Sequence, residues 1–346
     1  MKKNMLYVGH EYHKKTHSVD FLIELFETKY NVDVITYDDQ TKEFSGASHC
    51  FQKQYDHLVL FQMPILLSEL KEKFTFDKIT YFPMYDGTGE APDEFWLDYK
   101  EFNIINFSKK LHDRLLEMGL SSYYLQYFPE LRTISNYGDE KSIFFWQRRE
   151  NINLHVVKEL TKKGDIGHIH VHKAMDFSKE IDYETSDEVK YTFSSWYETR
   201  EEMLQDMEKS AIYIAPREYE GIGMSFLEAM AMGRCVIAPN KPTMNEYIVD
   251  GENGYLYDLH NLKAINKIKT REMQDNVINY MKKGHEKWEK EKYEILSWIE
   301  SNVCINEKKF QNTFLKNSNG KYTAFRAKLI NKFFIKKLKK IYYFFK

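Results

Sequence analysis

Three things are scarce in this chain of 346 residues. Cysteine is the first. Cys50, Cys235 and Cys304 form an odd and widely spaced set, which excludes a disulfide framework and any paired-cysteine metal motif and points to a reducing compartment. Long apolar runs are the second. No window approaches the ~18 apolar residues that a membrane-crossing helix needs, and the run before Gly9 is too short for a secretory signal. Net charge is the third. The formal value of −2 hides an asymmetry, because residues 308–346 hold twelve Lys and Arg and no acid, leaving 38 basic and 52 acidic groups in residues 1–307. An acidic body therefore carries a basic tail.

The body alternates apolar strand-like runs with amphipathic helices, the pattern of an α/β protein. Met5-Leu-Tyr-Val8, Val32 to Thr36, His57 to Phe61, Ile79 to Phe82 and Asn103 to Asn106 read as strands. Val19 to Thr28 and Lys109 to Met118 read as helices, the second ended by Gly119. A second series opens at Ser142-Ile-Phe-Phe-Trp146 and continues at Ile166 to Val171. The length suits two domains, each with its own core. Their expected bounds are 1–138 and 139–305, with a tail over 306–346. No internal repeat and no low-complexity linker interrupts them.

Residues 211–258 carry the most chemistry. Ala211-Ile-Tyr-Ile-Ala215 is a buried strand stopped by Pro216. Gly221 and Gly223 allow unusual backbone angles and close approach of a ligand. Ser225 fits a helix N-cap, Phe226 to Met232 a helix, and Gly233 its stop. Cys235 to Ala238 is the next strand. A helix start at Ser225 presents unpaired N–H groups to a phosphate. Glu220 in the loop and Glu228 in the helix offer acceptors to sugar hydroxyls. The same residues allow a plainer arrangement: Ser225-x-x-Glu228 is also a capping box, and Glu220 can be a solvated loop acid.

The full string Glu220-Gly-Ile-Gly-Met-Ser-Phe-Leu-Glu228, followed by Ala229-Met-Ala-Met-Gly233, Cys235-Val-Ile-Ala238 and Asn245-Glu-Tyr-Ile-Val-Asp-Gly-Glu-Asn-Gly254, resembles the donor motif of the retaining glycosyltransferases of family 4. The resemblance implies the GT-B fold, with two Rossmann-like domains facing across a cleft. It also implies that Glu220 contacts the donor sugar and Glu228 the nucleotide ribose. Phe145-Trp-Gln-Arg148-Arg149 resembles the family's strand followed by Gly-Arg, so Arg148, or Arg149 beside it, is expected to stabilise the leaving diphosphate. The family's Lys five residues after that Arg is Asn153 here, and Lys173 is a candidate replacement.

Less specific features follow. Asp86 stands where the family often places His-Asp and is expected either to orient the acceptor or to serve as a turn residue. Gly9 to His17 lacks the family's paired glycines and reads as a polar loop, with His10 as the candidate diphosphate donor. His168, His170 and His172 share one face of a strand. They suit a polar strand end better than a metal pair, and no metal or further cofactor is expected.

In the tail, Lys328 to Lys346 reads as a helix with Ile330, Phe333, Phe334, Leu338, Ile341 and Phe345 on one side and Lys328, Lys332, Lys336, Lys339 and Lys340 on the other, with Lys337 intruding on the apolar face. Such a helix suits an anionic membrane surface, here through residues 325–346. Docking on the acidic body and binding of nucleic acid are the alternatives, and nucleic acid is not the expected partner. Together these features imply a cytoplasmic enzyme, peripheral on the inner face of a membrane. It would be of hexosyltransferase type, moving a sugar from a UDP- or GDP-sugar to a glycan or lipid-linked acceptor, in bacterial surface polysaccharide synthesis. Two other functions fit less of the pattern: a glycosyltransferase-like nucleotide-binding or assembly protein with weakened catalysis, and a nucleotide-sugar epimerase.

Overall fold

The computed structural model describes residues 2–132, 136–175, 185 and 188–316. They fall into two compact units, one built from the described residues up to Leu125 together with those from Glu291 onward, the other from those within Gln126–Lys290. The expectation of an α/β protein built on two sheets is met.

The first unit holds strands β1 (Lys3–His10), β2 (Tyr30–Asp38), β3 (Glu43–Ser45), β4 (Gln54–Phe61), β5 (Thr75–Phe82), β6 (Asn103–Asn106) and β7 (Ser122–Tyr124). Helices α1 (Glu11–Thr16), α2 (Asp20–Glu27), α3 (Leu67–Lys73) and α4 (Lys109–Glu117) connect them. The sheet order is β3-β2-β1-β4-β5-β6-β7, parallel throughout except for β3, which pairs antiparallel with β2. Met5, Leu6, Tyr7 and Val8 are all buried, as a central parallel strand covered on both faces requires. Leu22, Leu25 and Phe26 recur at helical spacing and form the buried stripe of α2.

The chain returns to this unit at its far end. Trp298 stacks on Tyr123 at 5.4 Å, and Glu300 takes Lys29 at 2.9 Å, Tyr30 at 3.2 Å and Lys3 at 3.4 Å. The Lys29 hydrogen bond leads the interactions that pull the Glu300 carboxyl down to about 2.

Strands β8 (Asp139–Trp146), β9 (His168–His172), β10 (Lys190–Ser194), β11 (Ser210–Ile214), β12 (Cys235–Pro239) and β13 (Gly254–Tyr257) form the second sheet. Its order is β10-β9-β8-β11-β12-β13, all parallel. The helices here are α5 (Leu154–Thr161), α6 (Arg200–Glu208) and α7 (Met224–Ala231), with α8 (Thr270–Glu300) and α9 (Glu307–Lys316) leading back to the first unit.

Side chains alternate across this sheet with the strand period of two. Ile143, Phe145, Ile169, Val171, Ile212 and Ile214 form an apolar, mostly branched-chain face packed with Val157 and Leu160 of α5. The opposite face is aromatic: Phe144 stacks between His170 at 5.2 Å and Tyr213 at 6.1 Å. The three histidines share that face, as the alternation implies. Their nitrogens engage hydroxyls: His168 takes Ser142 and Thr192, His170 takes Thr192 and Ser194, and His172 takes Ser194, all within 2.8–2.9 Å.

Two local expectations fail. Glu11–Thr16 is a helix, not a loop: His10 supplies its N-cap by accepting from the Tyr12 amide, and His17 closes it in the left-handed conformation. α7 starts two residues early, with Gly223 as its N-cap and Ser225 as its second residue. The basic helix expected at Lys328–Lys346, and with it the membrane contact of residues 325–346, lies outside the described residues. Among the described residues no helix is long and apolar enough to cross a membrane.

Burial holds His172, His57 and His13 at about 4 instead of 6.5; neighbouring His170 and Arg148 add to this at His172, and Lys3 does at His57. Between those values the unfolded chain binds more protons than the folded one, so stability rises with pH in that window. The histidine contribution is complete above 6.5 and is lost as pH falls towards 4. Urea midpoints are therefore expected to fall between about pH 7 and pH 4.5, and His57→Phe, which keeps a ring against Tyr30, to flatten the slope. An unchanged slope in that variant contradicts the assignment.

Candidate functional site

In an open parallel sheet, ligands bind beyond the carboxyl ends of the strands where the strand order reverses. In the second sheet that point lies between β8 and β11: β9 and β10 follow on one side, β12 and β13 on the other. Arg148 and Arg149 leave the end of β8, Lys173 leaves β9, and the Glu220 loop leaves β11.

Glu220 and Glu228 are 7% and 6% exposed, so neither is a solvated surface acid. The Glu220 loop is fixed from below. The hydroxyl of fully buried Thr243 lies 2.6 Å from the Glu220 carbonyl and 2.8 Å from that of Gly221. Arg217 stands 3.8 Å from the Glu220 carboxylate. Gly223 sits at φ +82°, and a Cβ there would come within 2.0 Å of the Phe226 ring. Only glycine meets both demands, since the left-handed region and the contact each reject a side chain.

Glu228 makes no capping box. Its Oε1 takes the Arg200 guanidinium, with Nε at 2.7 Å and Nη2 closer still. Burial pushes the Glu228 carboxyl up, and Arg200 offsets only part of that cost. Both donors fall on Oε1, so Oε2 is left to accept from a ligand hydroxyl. Buried Tyr213, on β11, feels Glu220, Arg148 and Glu228 at once, and its phenol is raised mainly by burial.

Arg148 lies over the Trp146 ring, 4.7 Å from its centre. Trp146 packs edge-on to His172 at 5.1 Å, and His172 stacks on Tyr197 at 4.7 Å. Buried Gln147 donates to the carbonyls of Arg149 at 2.6 Å and Ile152 at 2.9 Å. It therefore shapes the turn that carries the two arginines. Asn153 caps α5 by accepting from the Val156 amide, a structural use for a residue that replaces an expected lysine. Lys173 holds its ammonium 4.0 Å from the centre of the Phe193 ring.

His10 and Asp86 belong to the first unit. His10 leaves β1, where that sheet's order also reverses, and lies 3.9 Å from Asp39. Asp86 is exposed in the turn Tyr85–Gly89. Arg200 is the residue that sequence reasoning missed. It follows Thr199, which caps α6, and nothing in its local pattern marks it as the partner of an acid 28 positions away.

The family model for glycosyl transferases group 1 matches residues 175–294. Among solved structures, a glycosyltransferase from Rickettsia africae is similar with a TM-score of 0.59 at 13% identity, over 86% of this chain and 98% of that one. HepE from Anabaena, solved with UDP and glucose, is similar with a TM-score of 0.53 at 11% identity, over 85% of this chain and 99% of that one. TarM from S. aureus, solved with fondaparinux, alpha-GlcNAc-glycerol and UDP, gives 0.50 at 14% identity over 77% of this chain. The chain spans 61% of the length of TarM. Comparison with curated protein sequences gives no match. These likenesses carry the fold: two α/β units on largely parallel sheets, the GT-B architecture.

The Arg200–Glu228 pair generates a direct expectation. Arg200→Gln leaves a buried carboxylate with a weaker partner and should cost about 1–3 kcal/mol, less than a fully buried pair because Arg200 is half exposed. Adding Glu228→Gln should recover most of the loss in a double-mutant cycle followed by urea unfolding. Strictly additive losses contradict the pairing.

Proposed function

We propose that this chain is a glycosyltransferase that takes its sugar from a nucleotide-sugar and leaves the anomeric configuration unchanged. The observation that carries this reading is the placement of Arg148 just after β8, and of the buried Glu220 and Glu228 after β11, the two strands that flank the reversal point of the second sheet. The group 1 family match spans both glutamates. UDP in the HepE and TarM structures favours a uridine donor.

In the proposed reaction the bond between the sugar C1 and the diphosphate oxygen breaks, and a bond from C1 to the acceptor oxygen forms on the same face. The acceptor proton passes to the departing phosphate oxygen. Arg148 meets the negative charge that grows on the diphosphate, and Arg149 lies beside it. The N–H groups that open α7, at Met224 and Ser225 after Gly223, add a second source of positive potential. Glu220 accepts from the sugar hydroxyls, and Glu228 accepts from the ribose through Oε2. Gly221 keeps the loop close to the sugar. Catalysis rests on positioning and on charge stabilisation.

The acceptor is proposed to be a glycan or lipid-linked glycan held at an anionic membrane surface, which the basic residues of 325–346 would approach. A second reading, a nucleotide-binding protein with weakened catalysis, is favoured by one observation: Asn153 serves as a helix cap where the family has a lysine.

The test is release of nucleoside diphosphate by the full chain, followed by mass spectrometry, across UDP- and GDP-sugars with bacterial membrane extract as acceptor source. Wild type is expected to turn over one donor. Arg148→Ala should lower kcat on the order of 10²–10³-fold, and Glu228→Gln should act mainly on the donor KM. Nucleotide binding without turnover across the panel would replace the enzyme with the binding protein.

A further inference from the structure

We propose that Asp33, His49 and Cys50, in the first unit, form a binding site for a zinc-type divalent cation. Asp33 lies on β2, and His49 and Cys50 are neighbours in the single 3-10 turn Ser48–Phe51. One ligand atom from each lies within 4.8 Å of the others.

The distances discriminate between two uses of such a cluster. A proton relay through histidine would place the thiol on one ring nitrogen and the carboxylate on the other. Here both meet the same atom: His49 Nε2 is 3.6 Å from Cys50 Sγ and 3.4 Å from Asp33 Oδ1. One nitrogen cannot serve both as a relay, but three donor atoms around a shared point suit a metal. In a tetrahedral zinc site, bond lengths near 2.1 Å to nitrogen or oxygen and 2.3 Å to sulfur put the N···S edge at about 3.6 Å and the N···O edge at about 3.4 Å. The observed separations agree with these two edges, and the third, between Cys50 Sγ and Asp33 Oδ1, lies within 4.8 Å and would close to about 3.6 Å as the ion binds.

The surroundings fit as well. The second oxygen of Asp33 is held by Lys53 at 2.9 Å and by the Tyr55 hydroxyl at 2.9 Å, which fixes the carboxylate and turns Oδ1 to the site. Cys50 is buried, whereas the His49 side chain is 63% exposed, so a water can complete the coordination. A mixed thiolate, imidazole and carboxylate set selects zinc-type ions over magnesium or calcium. Binding transfers the Cys50 thiol proton to solvent as the sulfur–metal bond forms, so affinity rises with pH.

The ion would have a mechanical role. β3 covers only Thr36–Asp38 of β2, and the Ser48–Phe51 turn meets the same strand at Asp33. A cation there ties turn to strand at the edge of the sheet, far along the chain from the Glu220–Glu228 segment.

The experiment titrates the chelator-treated full chain with Co²⁺ as a spectroscopic substitute for Zn²⁺. One equivalent should bind, with tetrahedral visible bands and a sulfur-to-cobalt charge-transfer band. Zn²⁺ should displace it and raise the thermal midpoint. Cys50→Ser should abolish the charge-transfer band, and Cys304→Ser should leave it intact. His49→Gln, an exposed change that tests the site if Cys50→Ser fails to fold, should lose tight binding. Tyr55→Phe should weaken affinity by about 10–100-fold. Absence of the band from folded wild-type chain, or its survival in both Cys50→Ser and His49→Gln, would overturn the proposal.

Discussion

The reversal of strand order between β8 and β11 is the constraint on which the candidate site depends. Parallel strands all deliver their carboxyl ends to one edge, and a reversal leaves that edge uncovered because successive connections move to opposite sides. Arg148 and the Glu220 loop follow adjacent strands for this reason, although 72 positions separate them in the chain. The apolar face formed by Ile143, Phe145, Ile212 and Ile214 keeps those two strands together. The chemistry at the rim is positioned by packing below it.

Placing two carboxylates at that rim with little exposure has a cost, and the surrounding side chains show how it is met. Arg200 covers one oxygen of Glu228, Arg217 stands near Glu220, and Thr243 holds the loop backbone. The same economy runs through the histidine face. Ser142, Thr192 and Ser194 satisfy imidazoles that would otherwise be buried polar groups without partners. These imidazoles are neutral, which ties the fold to pH values above their ordinary titration.

Much of this was legible in the sequence. The apolar runs of β1, β6, β8, β11 and β12 announce buried parallel strands, and the string from Glu220 to Gly254 resembles a donor motif closely enough to imply the architecture. What stayed hidden depends on three-dimensional neighbours. Ser225-x-x-Glu228 has the spacing of a capping box, but Gly223 can adopt a left-handed conformation and opens the helix earlier. The polar run after Gly9 contains a short helix that His10 caps. Asn153 looks like a lost lysine until its side chain is seen on the Val156 amide. Arg200 and the Asp33, His49 and Cys50 cluster join segments whose spacing carries no motif.

The decisive measurement is a structure of the full chain with UDP, or with GDP if UDP does not bind. The diphosphate should lie over the β8–β11 reversal, within hydrogen-bond reach of Arg148, with a ribose hydroxyl on Glu228 Oε2. A nucleotide bound in the first unit alone, or one in the second unit that leaves Glu228 untouched, would contradict this placement.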